Sequence, residues 1–469
     1  MSIFDHKRLT SDAFKLDAER MRAGWYSDKY FENIVGMLTD LARRNAESGA
    51  GSAGAGDSTR PGHYGFGGHS TRLAEAGVDA RGADIGNIEV EMQWFTRRQP
   101  FSVVAGVDKA LAMLQCCTGY YDDMGQFVNT YDRLEVEAVH DGVIAHYDGD
   151  PLIVRPVLKV RGRYRDFALL ETPTLGALTR ATRIATNVYS VLGAARGKPV
   201  LFFPARFDAH EVQAADGYAY NIAVQRFNMD HNHDVGSFIS TDAQGDWWGG
   251  LGGGTIAHAA IAAFLGDTVE CMLMFAETRP IVIPRIALID FDNDCVGTTL
   301  AVMDAMFARY RELIDGGQIA EAERYRLFGV RPDTSGSLRD RSVPPLGLKE
   351  LDMGVTPRLV FFLRRAIDEA WTRWSLTPEW LARAQAWCRD VKIVVTGGFG
   401  PKKIRRFEEL GVPADIYGVG SSLFSNSEEE GTNNDFTADI VRVNIAGAWR
   451  DLVKIGRRAR DNPDLERIQ

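Results

Sequence analysis

The residues with the clearest chemical potential form a glycine-rich loop that runs into a histidine. Gly252, Gly253 and Gly254 precede Thr255, and His258 follows at the start of an apolar segment. Glycines let backbone N–H groups approach an anion closely, and the first turn of a helix adds a favourable dipole. The imidazole of His258 could act on a phosphate as a general acid or base, or accept a phosphoryl group. An ordinary helix-start turn is the alternative for this stretch.

Two later segments carry the combination of an apolar strand, a glycine turn and a helix start. Gly397 and Gly398 follow one strand and precede Pro401, which suits the first turn of a helix. Gly420 and Ser421 follow the next strand, where the serine adds a hydroxyl donor. Successive strand–glycine–helix units near the end of a barrel are the usual phosphate site of that fold, so the pair predicts phosphate-binding loops. Tight turns without a ligand are the alternative.

Charged residues end three other apolar strands. Arg331 and Asp333 lie two residues apart and so share one face of an extended segment. The guanidinium could hold a phosphate and the carboxylate could accept hydrogen bonds from sugar hydroxyls, although an internal ion pair is the alternative. Asp290 and Asp292 could orient a histidine or bind Mg²⁺, or could be surface carboxylates. Arg206 suits an anionic substrate.

These residues stand at the ends of apolar runs that alternate with helical stretches. The runs are 200–203, 269–275, 286–290, 327–333, 393–397 and 416–420. Continuous apolar strands between helices indicate a buried parallel sheet. The predicted fold class is therefore α/β, an irregular TIM-like barrel, with a doubly wound open sheet as the alternative. In both folds, ligands bind at the carboxyl ends of the strands.

The first part of the chain has a different pattern, which predicts an α+β domain. Apolar residues at helical spacing between Phe31 and Leu41 predict a helix. Alternating runs between 88 and 160 predict strands around a helix at 105–114, with Asp141 and Gly142 as a hairpin turn. The predicted division is an N-terminal domain over 1–170, with a Gly/Ser-rich loop at about 48–70, and an α/β barrel over 171–430. A C-terminal helical extension over 431–469 is predicted to pack back on the N-terminal domain.

Composition limits the class of protein. A chain of 469 residues exceeds the usual size of a single core, so more than one domain is expected. The net charge of −9 argues against a general nucleic-acid or anionic-membrane binder. No apolar run is long enough to span a membrane, and the start of the chain lacks the apolar core of a secretory signal. The 5 cysteines show no C-x-x-C spacing, which favours free thiols in a cytoplasmic protein.

Taken together, the motifs resemble the nicotinate phosphoribosyltransferase family, whose members begin NAD salvage. The matching segments are 27–31, 92–98, 171–176, 205–206, 254–259, 330–333, 397–398 and 417–420. The resemblance implies ATP-coupled transfer of the 5-phosphoribosyl group from phosphoribosyl pyrophosphate to nicotinate, giving nicotinate mononucleotide and pyrophosphate. It also implies Mg²⁺ as cofactor and a homodimer whose active sites are shared between subunits.

The resemblance also implies a role for each candidate residue. His258 is the residue phosphorylated by ATP, and Asp290 orients it. Tyr30 of the neighbouring subunit stacks on the nicotinate ring, and Arg206 meets the nicotinate carboxylate or a nearby phosphate. The remaining candidates contact the phosphoribosyl group or the metal. Thr255, Arg331 and Asp333 bind the substrate, and its 5′-phosphate is bound by Gly397, Gly398, Gly420 and Ser421. The Mg²⁺ ligands are Asp290 and Asp292.

One segment departs from the family. Residues 333–338 are a variant of both the nicotinate-type and the nicotinamide-type patterns. The preferred base therefore stays open between nicotinate and nicotinamide. A flavin- or sugar-phosphate-binding barrel enzyme and a catalytically silent nucleotide sensor are the alternatives outside this activity.

Overall fold

The computed structural model describes residues 7–47, 69–80, 83–254 and 256–469. Most of the predicted Gly/Ser-rich loop at about 48–70, and all of Thr255, lie outside the described residues. The chain divides into two units: unit 1 is Met1–Thr186 with Asn426–Gln469, and unit 2 is Asn187–Ser425. In the described parts of both units, every helix is too short or too polar to cross a membrane.

The helices are numbered in chain order. They are α1 Ala18–Arg22, α2 Lys29–Glu47, α3 Thr71–Glu75, α4 Val107–Cys117, α5 Glu171–Ala194, α6 Gln213–His231, α7 His258–Ala263, α8 Thr268–Thr278, α9 Cys295–Asp315, α10 Ile319–Ala322, α11 Lys349–Asp352, α12 Pro357–Glu369, α13 Pro378–Asp390 and α14 Pro401–Glu409. The predicted helix at Phe31 to Leu41 is α2 and that at 105–114 is α4, so both predictions are confirmed.

The strands are numbered in the same way. They are β1 Glu89–Thr96, β2 Phe101–Val103, β3 Gly119–Tyr121, β4 Phe127–Asn129, β5 Glu135–Ala138, β6 Ile144–His146, β7 Leu158–Arg163, β8 Val200–Phe202, β9 Phe238–Ile239, β10 Ile286–Leu288, β11 Gly329–Arg331, β12 Lys392–Val395, β13 Ile416–Val419, β14 Phe436–Ile445, β15 Ala448–Asp451 and β16 Glu466–Arg467.

Unit 1 is built on an antiparallel sheet in the order β15-β14-β1-β7-β5-β16. β1 lies inside this sheet and pairs with β14 on one side and β7 on the other. Its alternating pattern places Val90, Met92 and Trp94 in the apolar core of the unit. Glu91 and Gln93 point to the other face and are also fully buried, so that face is covered as well.

The end of the chain corrects one prediction. The extension over 431–469 is predicted to be helical, but the structure has strands β14, β15 and β16 there. The physical reason is visible in β14, where Val441, Val443 and Ile445 are buried at a spacing of two residues. A period of two suits a strand, and β14 pairs with β1 along nearly its whole length.

The predicted hairpin at Asp141 and Gly142 is also wrong. β5 pairs with β7 and β16, whereas β6 pairs with β2. The Asp141 carboxylate instead accepts a hydrogen bond of 2.8 Å from the N–H of Val107, the first residue of α4. The turn residue is thus used to satisfy a free donor at a helix start.

Unit 2 contains a six-stranded sheet in the order β10-β11-β12-β13-β8-β9, and every pairing is parallel. Five of the predicted runs are confirmed as strands: β8, β10, β11, β12 and β13. The predicted strand at 269–275 is wrong, because these residues lie in helix α8. The N-terminus of α8 is capped by the Asp267 side chain. Its Glu, Cys, Met and Leu residues are not the β-branched types that a strand favours. β9 was not predicted.

The strand order establishes an α/β fold for unit 2. Among the described residues, the outer strands β9 and β10 each pair on one side only. Closure into the irregular TIM-like barrel stays a prediction.

All 5 cysteines are free thiols. Cys117 lies in unit 1, whereas Cys271, Cys295 and Cys388 lie in unit 2, and these four are buried. Burial raises the pKa of each of the four thiols, to about 11 for Cys117 and Cys388.

Candidate active site

The parallel register of unit 2 brings six strand ends to one edge of the sheet. Leu288 pairs with Arg331, Val395 with Tyr417, and Val419 with Phe202. The residues that follow these positions therefore lie side by side at the carboxyl edge, where open and closed α/β sheets bind ligands.

A cavity of about 580 Å³ opens at this edge. Eight of the predicted site residues line it: Arg206, His258, Arg331, Asp333, Gly397, Gly398, Gly420 and Ser421. Residues from sequence positions more than 200 apart thus surround one volume, and all of them belong to unit 2. The volume is in the range of small-molecule sites.

His258 is the first residue of α7, and its side chain is 47% exposed. Its Nε2 lies 3.1 and 3.2 Å from the two carboxylate oxygens of Asp290, whose side chain is only 8% exposed. Burial raises the pKa of Asp290, although His258 acts in the opposite direction and Asp333 adds to the rise. The contact favours the tautomer with the proton on Nε2, which leaves a lone pair on Nδ1.

The glycine-rich loop before His258 is anchored by its first two residues. The N–H of Gly252 donates to Asp242 Oδ1 at 2.8 Å, and that of Gly253 donates to the carbonyl of Ile239 at 2.8 Å. Gly253 and Gly254 line the cavity together with His258. Gly252, whose N–H is bound by Asp242, is the glycine of this loop that does not line it.

Arg331 ends β11 and is 9% exposed. Its Nη2 donates to the carbonyl of Ile256 at 2.8 Å, and its Nη1 lies 3.3 Å from Thr396 Oγ1 and 3.5 Å from Asp333 Oδ2. Its Nε is buried and has no hydrogen-bond partner within the part of the chain that the structure describes. Burial lowers the pKa of Arg331, an effect that Asp333 and Asp290 oppose.

The loop after β12 has the geometry expected of a close backbone approach. Gly397 and Gly398 have φ of +89° and +67°, which L-residues with a side chain rarely adopt. A Cβ on Gly397 would lie 3.3 Å from Asp333 Oδ1. Backbone conformation therefore favours glycine at both positions, and at Gly397 an added Cβ would also crowd the Asp333 carboxylate.

Lys403 in the first turn of α14 supports this loop. Its Nζ donates to the carbonyl of Gly397 at 3.1 Å and lies 4.0 Å from the ring centroid of Phe399. Burial lowers the pKa of Lys403 to about 8, while Asp333 acts in the opposite direction. The neighbouring Lys402 is exposed.

Several lining residues were not predicted from the sequence: Phe203, Phe207, Ser240, Thr396 and Phe399. Phe203 and Thr396 each come directly after a strand, so the rule that pointed to Asp290 and Arg206 could have found them. Phe207 contacts the guanidinium of Arg206, with 5.3 Å between the ring centroid and Cζ. No signal in the sequence marks Ser240, because β9 has only two residues.

Two predicted residues lie elsewhere. Tyr30 belongs to unit 1, where it is 58% exposed and donates to Asp28 Oδ2 at 3.0 Å. Asp292 is exposed and does not line the cavity. Thr255 lies outside the described residues.

The predicted Mg²⁺ ligands do not form a complete set in the described structure. Both oxygens of Asp290 contact His258. Among the described residues, no group of three or more His, Cys, Asp or Glu side chains is arranged to hold a metal ion. Binding of Mg²⁺ by Asp290 and Asp292 stays a prediction.

No protein-family model matches the chain. Among solved structures, nicotinate-nucleotide pyrophosphorylase from Pyrococcus furiosus is similar at 22% identity and a TM-score of 0.57, covering 95% of this chain and 81% of that one. Human nicotinic acid phosphoribosyltransferase matches at 17% identity and a TM-score of 0.48, over 79% of this chain and 72% of that one. The nicotinate-nucleotide pyrophosphorylase from Francisella tularensis matches at 13% identity and 0.41, over 86% and 96%.

Of these three structures, only that from Pyrococcus furiosus has a TM-score above 0.5, and its identity is low enough that the likeness concerns the fold alone. That likeness extends over nearly the whole of this chain. The predicted resemblance to nicotinate phosphoribosyltransferases is thus confirmed at the level of the fold, which this chain shares with a nicotinate-nucleotide pyrophosphorylase.

Proposed function

We propose that this chain is a phosphoribosyltransferase of pyridine nucleotide biosynthesis. It transfers the 5-phosphoribosyl group of phosphoribosyl pyrophosphate to nicotinate, and forms nicotinate mononucleotide and pyrophosphate. The observation that carries the proposal is one cavity lined by His258, by the Arg331 and Asp333 pair, and by two glycine loops. The fold shared with a nicotinate-nucleotide pyrophosphorylase supports the same substrate class.

The sugar phosphate is assigned to the loops after β12 and β13. Gly397, Gly398, Gly420 and Ser421 can present backbone N–H groups and a hydroxyl to the 5′-phosphate next to the start of α14. Asp333 is acceptor-only when ionised, so it suits the ribose hydroxyls. Arg331 adds a fixed positive charge beside them.

The base is assigned to the side of the cavity formed by Arg206 and the rings of Phe203 and Phe207. A guanidinium there can hold the carboxylate of nicotinate and align the weakly nucleophilic pyridine nitrogen. We retain Tyr30 of a neighbouring subunit as the second stacking residue, which requires a homodimer with shared active sites. Nicotinamide lacks the carboxylate and is the alternative base.

The reaction breaks the bond between C1 of the ribose and a pyrophosphate oxygen. The lone pair of the pyridine nitrogen forms the new bond to C1, and the electron pair of the broken bond leaves on pyrophosphate. Positive charge develops on the ribose ring in the transition state, so a nearby carboxylate such as Asp333 stabilises it. Mg²⁺ is proposed to arrive with the pyrophosphate of the substrate, where it would neutralise charge on the leaving group.

ATP coupling is assigned to His258. With Nε2–H held by Asp290, the Nδ1 lone pair can attack the γ-phosphorus of ATP, and ADP leaves with the electron pair of the broken P–O bond. The high exposure of this side chain leaves room for the nucleotide. The phosphorylated imidazole would then favour phosphoribosyl pyrophosphate binding, and its hydrolysis would drive product formation. A cytoplasmic location follows from this substrate set as part of the proposal.

The test is a product assay with nicotinate and with nicotinamide, each with and without ATP. We expect nicotinate mononucleotide, formed faster when ATP is present. His258→Ala should abolish the stimulation by ATP while the ATP-independent reaction continues. His146→Ala serves as the control, because His146 is an exposed histidine on β6 of unit 1.

Two outcomes would contradict the proposal. If His258→Ala kept full stimulation by ATP, His258 would not be the residue that ATP phosphorylates. If nicotinamide turned over faster than nicotinate, nicotinamide would be the substrate base. A purified protein that carries flavin would instead favour the other class of barrel enzyme.

A further inference from the structure

Thr396 occupies a central position that no sequence motif marked. It follows β12 directly, precedes Gly397 and is 4% exposed, yet it lines the cavity. Its N–H donates to the carbonyl of Pro332 at 3.2 Å, which holds it beside the segment that carries Arg331 and Asp333.

The hydroxyl of Thr396 stands between the two charges. Oγ1 lies 2.8 Å from Asp333 Oδ1 and 3.2 Å from the carbonyl of Pro332, and it accepts from Arg331 Nη1 at 3.3 Å. A hydroxyl has one proton to donate, and the carboxylate, at the shorter distance, is the stronger acceptor. Thr396 therefore donates to Asp333 and accepts from Arg331.

This bridge accompanies a long direct ion pair between Arg331 and Asp333. The direct contact of Arg331 Nη1 with Asp333 Oδ2 is 3.5 Å, at the limit of a hydrogen bond. A hydroxyl between the charges fixes both side chains while each keeps bonding capacity. A short bidentate pair would instead satisfy the two groups with each other.

The methyl group of Thr396 is fixed as well. A Cβ on Gly418 would lie only 2.5 Å from Thr396 Cγ2, so the methyl occupies space that the glycine leaves free. Because a β-branched side chain has few χ1 choices, a methyl held in this way also sets the direction of the hydroxyl.

We propose that Thr396 is a positioning residue that holds Arg331 and Asp333 apart and ready for a ligand with both a phosphate and a vicinal diol. The proposal rests on the proposed function and deepens it, since ribose 5-phosphate is the part of the substrate with that chemistry. Thr396 acts through its two neighbours and takes no part in bond making.

The test compares Thr396→Val, which keeps the shape and removes the hydroxyl, with Thr396→Ser, which keeps the hydroxyl and removes the methyl. Calorimetric binding of ribose 5-phosphate is the first measurement, and KM for each substrate is the second. We expect Thr396→Val to weaken ribose 5-phosphate binding and to raise KM for phosphoribosyl pyrophosphate by roughly tenfold, since it removes a hydrogen bond to charged groups. KM for nicotinate should change by less than about twofold, and Thr396→Ser, which keeps the hydroxyl but loses the methyl that orients it, should lose less affinity than Thr396→Val.

A double-mutant cycle with Asp333→Asn separates positioning from a general loss of structure. If Thr396 acts through Asp333, the two losses of ribose 5-phosphate affinity are not additive. Additive losses, equal losses in the Val and Ser variants, or no binding of ribose 5-phosphate by the wild type would each overturn the positioning role. Binding of ribose 5-phosphate by the wild type without any nucleotide product would overturn the proposed function and leave this role standing.

Discussion

The two sheets of this molecule treat buried charge in opposite ways. In the antiparallel sheet, the fully buried Glu91 contacts Arg161 and lies 3.2 Å from Arg442 and 3.7 Å from Lys159. In the parallel sheet, a hydroxyl bridges Arg331 and Asp333, whose direct contact is 3.5 Å, and the Arg331 Nε has no partner among the described residues. The first cluster is satisfied within the sheet, whereas the second keeps unused bonding capacity at the edge of a cavity. Buried charge at Glu91 is therefore satisfied within the structure of unit 1, and in unit 2 we propose that the Arg331 and Asp333 pair binds ligand.

Glu91→Gln tests the structural half of this comparison and should have the largest effect. Removing the carboxylate leaves three cations around a buried neutral group, so we expect the free energy of unfolding to fall by about 3–5 kcal/mol. Urea unfolding measures this. Glu135→Gln is the control, because Glu135 contacts the same Arg161 at 3.3 Å but is 60% exposed, and it should cost less than about 1 kcal/mol. Equal losses in the two variants would contradict the comparison.

Arg331→Met tests the functional half. The substitution removes a buried charge together with its hydrogen bonds to Ile256 and Thr396, so we expect the free energy of unfolding to fall by about 1–2 kcal/mol, less than in Glu91→Gln. The kcat/KM for phosphoribosyl pyrophosphate should fall by about a hundredfold, since the fixed cation that neutralises negative charge on the phosphate groups of the substrate is lost. Arg389→Met, an exposed arginine on α13, is the control. If Arg331→Met lost several kcal/mol of unfolding free energy but kept its kcat/KM, Arg331 would serve stability and not ligand binding.

Lys403 sharpens the comparison through a smaller effect of pH on stability. The pKa of Lys403 is lowered to about 8 in the folded chain from an ordinary 10.5, so between these values the unfolded chain binds the extra proton. The contribution of this group to stability therefore rises as pH increases from about 8 to 10.5. Urea unfolding at several pH values should show this rise in the wild type relative to Lys403→Met. Lys402→Met, which changes the exposed neighbour, is the control and should follow the wild type. If unfolding free energy changed with pH in the same way in Lys403→Met and in the wild type, burial would not disfavour the charge of Lys403.

The strand ends of unit 2 were predictable because one physical rule covers them. Buried parallel strands are continuous apolar runs, and β8, β10, β11, β12 and β13 all follow that pattern. The carboxyl ends of such strands share an edge, so the sequence alone is enough to place Arg331, Asp333 and Gly397 together, and all three line the cavity. The same pattern fails at 269–275, where a short apolar run belongs to helix α8.

The long-range partners could not be predicted. The pairing of β14 with β1 joins segments more than 300 residues apart, and local pattern does not say which strands meet. Thr396 likewise gains its importance from Asp333 and Gly418, which lie on other strand ends. Whether the sheet closes into a barrel depends on the outer edges of β9 and β10, about which local sequence says little.

The four buried thiols can report which part of the chain unfolds first. A thiol-specific reagent reacts with the thiolate, so burial and a raised pKa both protect these side chains until the surrounding structure opens. Cys117 samples unit 1, and Cys295 lies 3.6 Å from Thr334, beside the Asp333 segment of unit 2. The order in which the thiols of Cys117 and Cys295 become labelled in mild denaturant would therefore show which unit unfolds first. No engineered cysteine is needed.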